Sequence, residues 1–129
     1  MSNSARKSVA LVAHDAMKAS MVAWAGRHRE LLASHCLYAT GTTGGRIVEE
    51  LGLEVRLLKS GPHGGDAQLG AMIAEGKLDM LIFFVDPLSS QPHDVDVKAL
   101  IRLAVLYDVV LATNAATGEF VLTSPLMLE

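Results

Sequence analysis

The chain has 129 residues, and half of them are apolar. This is enough for one domain with a hydrophobic core and too apolar for a disordered chain. Acidic and basic residues are mixed along the sequence and give a net charge of −3, so we expect neither nucleic acid nor a membrane surface as a partner. The longest unbroken apolar run, Met80 to Val85, is too short to span a bilayer.

The cysteine content and the N-terminus indicate a compartment. The single cysteine, Cys36, excludes an intrachain disulfide and fits a reducing environment. The first eight residues are polar, and the apolar stretch after them is too short for a secretory signal. We therefore expect a cytoplasmic protein in which residues 1–129 form a single domain.

Short apolar runs alternate with helical patterns along the chain. The runs, several rich in Val, Ile or Phe, are typical of buried strands: Val9 to Ala13, Cys36 to Ala39, Val55 to Leu58, Met80 to Val85 and Val109 to Ala112. The helical patterns between them begin near Asp15, Arg46, Ala67 and Asp94. This alternation predicts a single-domain, three-layer α/β fold, Rossmann-like or flavodoxin-like. Its five-stranded sheet is expected to be mainly parallel, with helices on both faces.

Polar, glycine-rich segments follow the carboxyl ends of the predicted strands. They read HD, TGTTGG, KSGPHGGD, DPLSSQPHD and TNAAT in chain order, whereas the opposite ends carry ordinary loop residues. In open parallel sheets, ligands bind at the carboxyl edge of the strands. The composition therefore locates a candidate site at that edge.

The segment Thr40 to Gly45, TGTTGG, is predicted to be a strand-to-helix turn whose hydroxyls and backbone N–H groups bind an anion. Ser60 and Gly61 would add donors from the next strand. Lys18, four residues after His14, falls in the first turn of a predicted helix, where its positive charge opposes the helix dipole. A bound phosphate would offset this repulsion. The alternatives are threonines that only cap a helix and a solvated surface lysine. The sequence contains neither GxxxxGK(S/T) nor GxGxxG, so it does not indicate a binding site for ATP or NAD.

Asp66 is the candidate general base, because it ends the glycine-rich segment SGPHGGD, which begins with the predicted phosphate contacts Ser60 and Gly61. It is also a preferred helix N-cap residue, and the two roles are compatible. His93 and Asp96 are three residues apart, and a neutral histidine there would stabilise an enediolate. Their alternative role is a turn followed by a helix cap. Asp86 is not expected to touch a ligand itself; at most it would support residues that do.

A metal site is an alternative to acid-base chemistry at this edge of the sheet. The possible ligands at the same edge are His14, Asp15, His63, Asp66, His93 and Asp94. Neither HExxH nor a CxxC pair is present, so we expect no metal.

The motifs VAHD with Lys18, YATGTTG, SGPHGGD, LIFFVDPL and PHDVDVKAL, in this order, resemble the methylglyoxal synthase family. The resemblance extends from about Val9 to Pro125. It implies a lyase that converts dihydroxyacetone phosphate to methylglyoxal and inorganic phosphate without metal or organic cofactor. It also implies a homohexamer with allosteric inhibition by phosphate.

The resemblance also implies roles for individual residues. Asp66 matches the catalytic base, His93 the histidine that contacts substrate oxygens, and Asp96 a second carboxylate near the site. His14 and Lys18 match substrate-binding positions. The positions that match the phosphate-binding residues are Thr40, Gly41, Thr42, Thr43, Ser60 and Gly61.

In one respect the sequence departs from the family pattern. Family members commonly have a basic C-terminal tail with an arginine that reaches a neighbouring subunit's phosphate site. This sequence ends at Glu129, and no lysine or arginine follows Arg102. Phosphate signalling between subunits is therefore left open for this chain.

Two other functions compete with the lyase. The first is a non-catalytic ligand-binding domain similar to the regulatory module of carbamoyl phosphate synthetase, which would not need Asp66, His93 and Asp96 together. The second is a sugar-phosphate isomerase, which would return a phosphorylated product. Release of free phosphate separates the lyase from the isomerase.

Overall fold

The computed structural model describes residues 6–60, 63–88 and 97–128. In these ranges no helix is both long enough and apolar enough to cross a membrane. Short 3-10 turns follow the first strand, at Asp15–Met17, and the last helix, at Pro125–Leu128. The described strands and helices run in the order β1 (Ser8–Ala13), α1 (Lys18–Arg27), α2 (Arg29–Ala33), β2 (Cys36–Thr40), α3 (Gly41–Leu51), β3 (Val55–Leu58), α4 (Gly65–Ala74), β4 (Met80–Phe84), α5 (Val97–Leu106), β5 (Val110–Ala112) and α6 (Ala115–Leu122).

The five strands form one sheet in the order β3-β2-β1-β4-β5. Every neighbouring pair is parallel, which confirms the predicted α/β class. Ala13 at the end of β1 pairs with Phe84 at the end of β4, and Thr40 at the end of β2 pairs with Leu58 at the end of β3. The carboxyl ends of these four strands therefore meet at one edge of the sheet.

Helices cover both faces of the sheet, as predicted. On β1, Val9, Leu11 and Ala13 belong to the core beneath α1, α2, α3 and α6. Ala10 and Val12 point the other way, into the core beneath α4 and α5. Because both faces of β1 are buried, the strand is apolar at every one of these positions and shows no polar alternation.

The start of α3 differs from the prediction. The segment Thr40 to Gly45 was expected to be a turn, but α3 already begins at Gly41. Gly44 lies inside this helix, where an added Cβ would overlap a methyl group of Leu57 and approach Ala39 Cβ to 3.1 Å. Glycine suits this position because α3 packs closely on β2 and β3, and not because the chain turns.

Candidate active site at the carboxyl edge of the sheet

His14 directly follows β1 and is fixed by the neighbouring strand β4. Its backbone N–H donates to the carbonyl oxygen of Phe84 at 3.1 Å, and its ring packs edge-on against Phe83. Its Nδ1 accepts the backbone N–H of Asp86 at 2.9 Å. A neutral imidazole that accepts at Nδ1 carries its proton on Nε2. His14 is thus oriented as an Nε2–H donor, and the contribution of Asp86 is through its backbone.

Lys18 is the first residue of α1, close to its predicted position. Its Nζ lies 2.8 Å from Asp15 Oδ1 and donates to Thr42 Oγ1 at 2.9 Å. The ammonium group therefore joins the end of β1 to the first turn of α3. These contacts contradict the alternative of a purely solvated surface lysine, and they supply in-chain partners that the sequence did not reveal.

The first turn of α3 lies against the end of β3. An added Cβ at Gly41 would be 3.2 Å from both the backbone nitrogen and the Cβ of Ser60. Within the described part of the chain, Thr40 makes no side-chain capping bond to the helix. The hydroxyl oxygen of Thr43 is buried and has no hydrogen-bond partner among the described residues. Since Thr42 Oγ1 accepts from Lys18, none of these three hydroxyl groups is seen to cap α3 within the described residues.

Ser60 lies in the loop between β3 and α4. Its carbonyl oxygen accepts the backbone N–H groups of His63 at 3.0 Å and Gly65 at 2.9 Å. Its Oγ lies 2.8 Å from Nδ1 of His63. The sequence suggests His63 only as a possible metal ligand, because its contact with Ser60 follows from the turn of the loop and has no sequence signal. Gly61, the other predicted donor in this loop, lies outside the described residues.

Asp66 lies in the first turn of α4, and it is half-buried. The N-cap is Gly64, in the left-handed conformation with φ 103°, so the N-cap interpretation of Asp66 is wrong. Only glycine adopts this backbone conformation without strain. Asp66 Oδ1 accepts the backbone N–H of Ala67 at 2.9 Å. This hydrogen bond fixes the orientation of the carboxylate at the start of α4.

Two contacts hold the first turn of α4 against the end of β3. Gly65 packs on the carbonyl group of Lys59 so closely that an added Cβ would overlap the oxygen. The backbone N–H of Lys59 donates to Gln68 Oε1 at 2.7 Å. Because Asp66 lies between Gly65 and Gln68, these contacts fix its helix relative to Ser60.

Asp66 also faces α5. A groove of about 310 Å³ between α4 and α5 is lined by Asp66 at one end and by Ala99 and Leu103 on α5. The predicted residues His93 and Asp96 precede α5 in sequence and lie outside the described residues, so their roles stay predictions.

The described residues bring together donors for an anion and a carboxylate. Lys18, Thr42, the start of α3 and Ser60 form a connected set, and Asp66 follows on the helix anchored to the same strand end. Within residues 6–60, 63–88 and 97–128, no three His, Cys, Asp or Glu side chains are grouped to hold a metal ion. This arrangement suits proton abstraction from a bound phosphate ester.

Comparison with known proteins gives one consistent family. The model of the MGS-like domain matches residues 20–113. The chain is 55% identical to a methylglyoxal synthase of Photorhabdus laumondii over 123 residues, which are 95% of this chain and 81% of that protein. It is 56% identical to a methylglyoxal synthase of Leptospira interrogans, covering 92% of this chain and 80% of that protein. The crystal structure of methylglyoxal synthase from Elizabethkingia anophelis superposes with a TM-score of 0.93 at 52% identity, covering 96% of this chain and 82% of the other.

Proposed function

The chain belongs to the methylglyoxal synthase family and is an enzyme, and from this premise we propose that it converts dihydroxyacetone phosphate to methylglyoxal and inorganic phosphate. One structural observation links the proposed reaction to particular residues. The helix of Asp66 is packed on Lys59, the neighbour of Ser60, while Ser60 also contacts the start of α3. This packing supports the proposal that Asp66, as the base, and the anion site around Ser60 are held at one strand end.

The phosphate group is bound by the start of α3, by Lys18 and by Ser60. The free N–H groups of a helix N-terminus attract an anion, and hydroxyl groups add directional donors. Thr43 supports this assignment, since its buried hydroxyl has no partner among the described residues and would gain one from a ligand oxygen. Gly61 is proposed to add its backbone N–H.

Asp66 takes a proton from the hydroxymethyl carbon beside the substrate carbonyl. The electron pair forms an enediolate, which His14, through its Nε2–H, and His93 stabilise by donating to the substrate oxygens. We assign to Asp96 the part of a second carboxylate in proton transfer. The hydroxyl group on the former hydroxymethyl carbon then loses its proton to the second carboxylate and becomes an aldehyde carbonyl. The double bond shifts towards the phosphate-bearing carbon, whose carbon–oxygen bond breaks to release phosphate. The resulting enol takes up a proton at its terminal carbon to give methylglyoxal.

The orientation of the phosphate decides which product forms. Elimination requires the breaking carbon–oxygen bond to lie roughly perpendicular to the enediolate plane, whereas an isomerase keeps that bond in the plane. A phosphate held from two directions, by α3 and by the loop after β3, has a defined orientation. We propose that this orientation is the perpendicular one, which gives the lyase product and not that of a sugar-phosphate isomerase.

The remaining features are proposals drawn from the family. We propose a cytoplasmic homohexamer built from a single domain, which works without a metal or organic cofactor. Inorganic phosphate, the product, is proposed to inhibit by occupying the same donors that bind the substrate phosphate.

The test is to incubate the purified protein with dihydroxyacetone phosphate, with and without EDTA, and to measure methylglyoxal and free phosphate together. We expect equal release of both, unchanged by EDTA and nearly abolished in Asp66→Asn. Asp108→Asn is the matched control, because Asp108 is exposed, precedes β5 at the opposite edge, and has φ 57°, which asparagine tolerates. A phosphorylated product would indicate an isomerase, and phosphate-ester binding without turnover would indicate a binding domain.

A further inference from the structure

The contact between Ser60 and His63 has no role in the function proposed above. Ser60 Oγ and His63 Nδ1 are 2.8 Å apart, a distance at which one of the two atoms must donate a proton to the other. We propose that His63 is a positioning residue that sets the direction of this hydrogen bond and so controls whether Ser60 can donate to a phosphate ester. This proposal rests on the proposed function, in which Ser60 is a phosphate contact.

A serine hydroxyl has a single proton to donate. If His63 Nδ1 is unprotonated, it accepts that proton, and Ser60 presents only lone pairs to a ligand. If Nδ1 carries a proton, in the neutral Nδ1–H tautomer or in the imidazolium, His63 donates and the hydroxyl proton is free. A phosphate dianion is an acceptor, so its binding selects the form of His63 with a proton on Nδ1.

His63 differs from His14 and His35 in the type of group that its Nδ1 contacts. Nδ1 of His14 accepts the backbone N–H of Asp86, and Nδ1 of His35 accepts the backbone N–H of Lys7 at 3.0 Å. A backbone N–H only donates, so both bonds have a fixed direction. The partner of His63 is a hydroxyl, which donates or accepts, and its bond is therefore able to reverse.

The backbone keeps the two side chains together in either direction. The carbonyl oxygen of Ser60 accepts from the N–H groups of His63 and Gly65, and Gly65 begins the helix that Gln68 ties to Lys59. The imidazole is exposed, so its outer nitrogen exchanges protons with water. A reversal then needs only a proton on the other ring nitrogen and a rotation of the hydroxyl.

Nitrogen-15 NMR of the imidazoles measures the proposed change directly, because the ring shifts distinguish the two neutral tautomers from the imidazolium. We expect saturating inorganic phosphate to move His63 towards an Nδ1-protonated form at constant pH, while His35, the internal reference, keeps its Nε2–H form. If phosphate shifts the Lys18 Nζ signal and leaves His63 unchanged, the His63 proposal is overturned alone. If neither the Lys18 signal nor the His63 signals respond to phosphate, the phosphate site of the proposed function is overturned as well.

A double-mutant cycle tests the dependence on Ser60. We expect His63→Ala to weaken phosphate binding about fivefold to tenfold, and His63→Asn, which places an amide donor near the position of Nδ1, to recover most of the loss. In a Ser60→Ala background, His63→Ala should change binding less than about twofold. An equal loss in both backgrounds would show that His63 acts independently of Ser60 and would overturn the proposal.

Discussion

The side-chain oxygen of Gln68 accepts the backbone N–H of Lys59 at 2.7 Å. This hydrogen bond joins the helix that carries Asp66 to the strand end that leads to Ser60. The proposed base and the proposed phosphate contact are thus held at a fixed separation by a side chain that has no part in the chemistry.

We predict that Gln68→Met, which has a similar length and no acceptor oxygen, lowers kcat about tenfold or more with a smaller change in KM. Displacement of a base by a fraction of an ångström weakens proton abstraction more than substrate binding. Steady-state kinetics on dihydroxyacetone phosphate measure the two constants. Gln68→Glu, which keeps an oxygen acceptor, is the control. A uniform rise in KM with unchanged kcat in Gln68→Met would argue against positioning.

The contact of Lys18 with Thr42 leads to a second prediction. Lys18→Met should lower kcat/KM about a hundredfold and weaken inhibition by phosphate, because a charge-assisted hydrogen bond contributes about 1.5–3 kcal/mol and the positive charge is lost too. The matched control is Lys77→Met. Its exposed ion pair with Glu75 should contribute less than about 1 kcal/mol and leave kinetics unaltered. Equal kinetics for the two variants would remove Lys18 from the site.

Two glycines provide a matched pair for stability. Gly65→Ala should destabilise the protein by several kcal/mol or prevent folding, since its Cβ would overlap the Lys59 carbonyl oxygen. Gly45→Ala lies within α3 and meets no atom within 4 Å, so it should stabilise by about 0.5–1 kcal/mol. Urea unfolding gives both values. Similar effects in the two variants would mean that the packing of α4 on β3 is looser than described.

Stability should fall in acid partly because of His35. Burial first, and then the charges of Lys7 and Arg6, lower the pKa of His35 below 6.5. In the unfolded chain His35 binds a proton near its usual pKa, whereas the folded chain resists protonation until lower pH. The free energy of unfolding therefore falls as the pH drops from above 6.5 towards the lowered pKa.

We expect His35→Asn, which keeps an acceptor for the N–H of Lys7, to lose less stability between pH 8 and pH 5 than the unaltered protein. Urea midpoints at the two pH values measure the difference. His28→Asn serves as a comparison, because it removes a histidine near Glu119 at the α1–α6 contact. If His35→Asn shows the full acid loss, His35 does not contribute to it.

The strands were predictable to within about one residue because each is a short apolar run buried in a parallel sheet. The polar residues after those runs predicted a candidate site at the carboxyl edge of the sheet. The starts of α3 and α4 were not predictable, since Gly44 and Gly65 serve close packing against other elements, and local sequence does not distinguish such glycines from turn glycines.

The pairings within the site were also hidden from the sequence. Lys18 with Thr42, and Lys59 with Gln68, join residues on different elements, and their contacts depend on how the helices pack on the sheet. Residue types and spacing predicted which residues make up the candidate site. They did not identify which residues hold those members in place.

The ammonium of Lys18, held by Asp15 and Thr42, has a consequence for the thermodynamics of binding. A free lysine side chain loses up to about 2 kcal/mol of rotational entropy when a ligand immobilises it. Here that loss has already occurred on folding, so a phosphate ester meets a side chain that is largely ordered. Calorimetry should accordingly show a smaller unfavourable conformational entropy in the unaltered protein than in Thr42→Val, where the lysine regains part of its freedom.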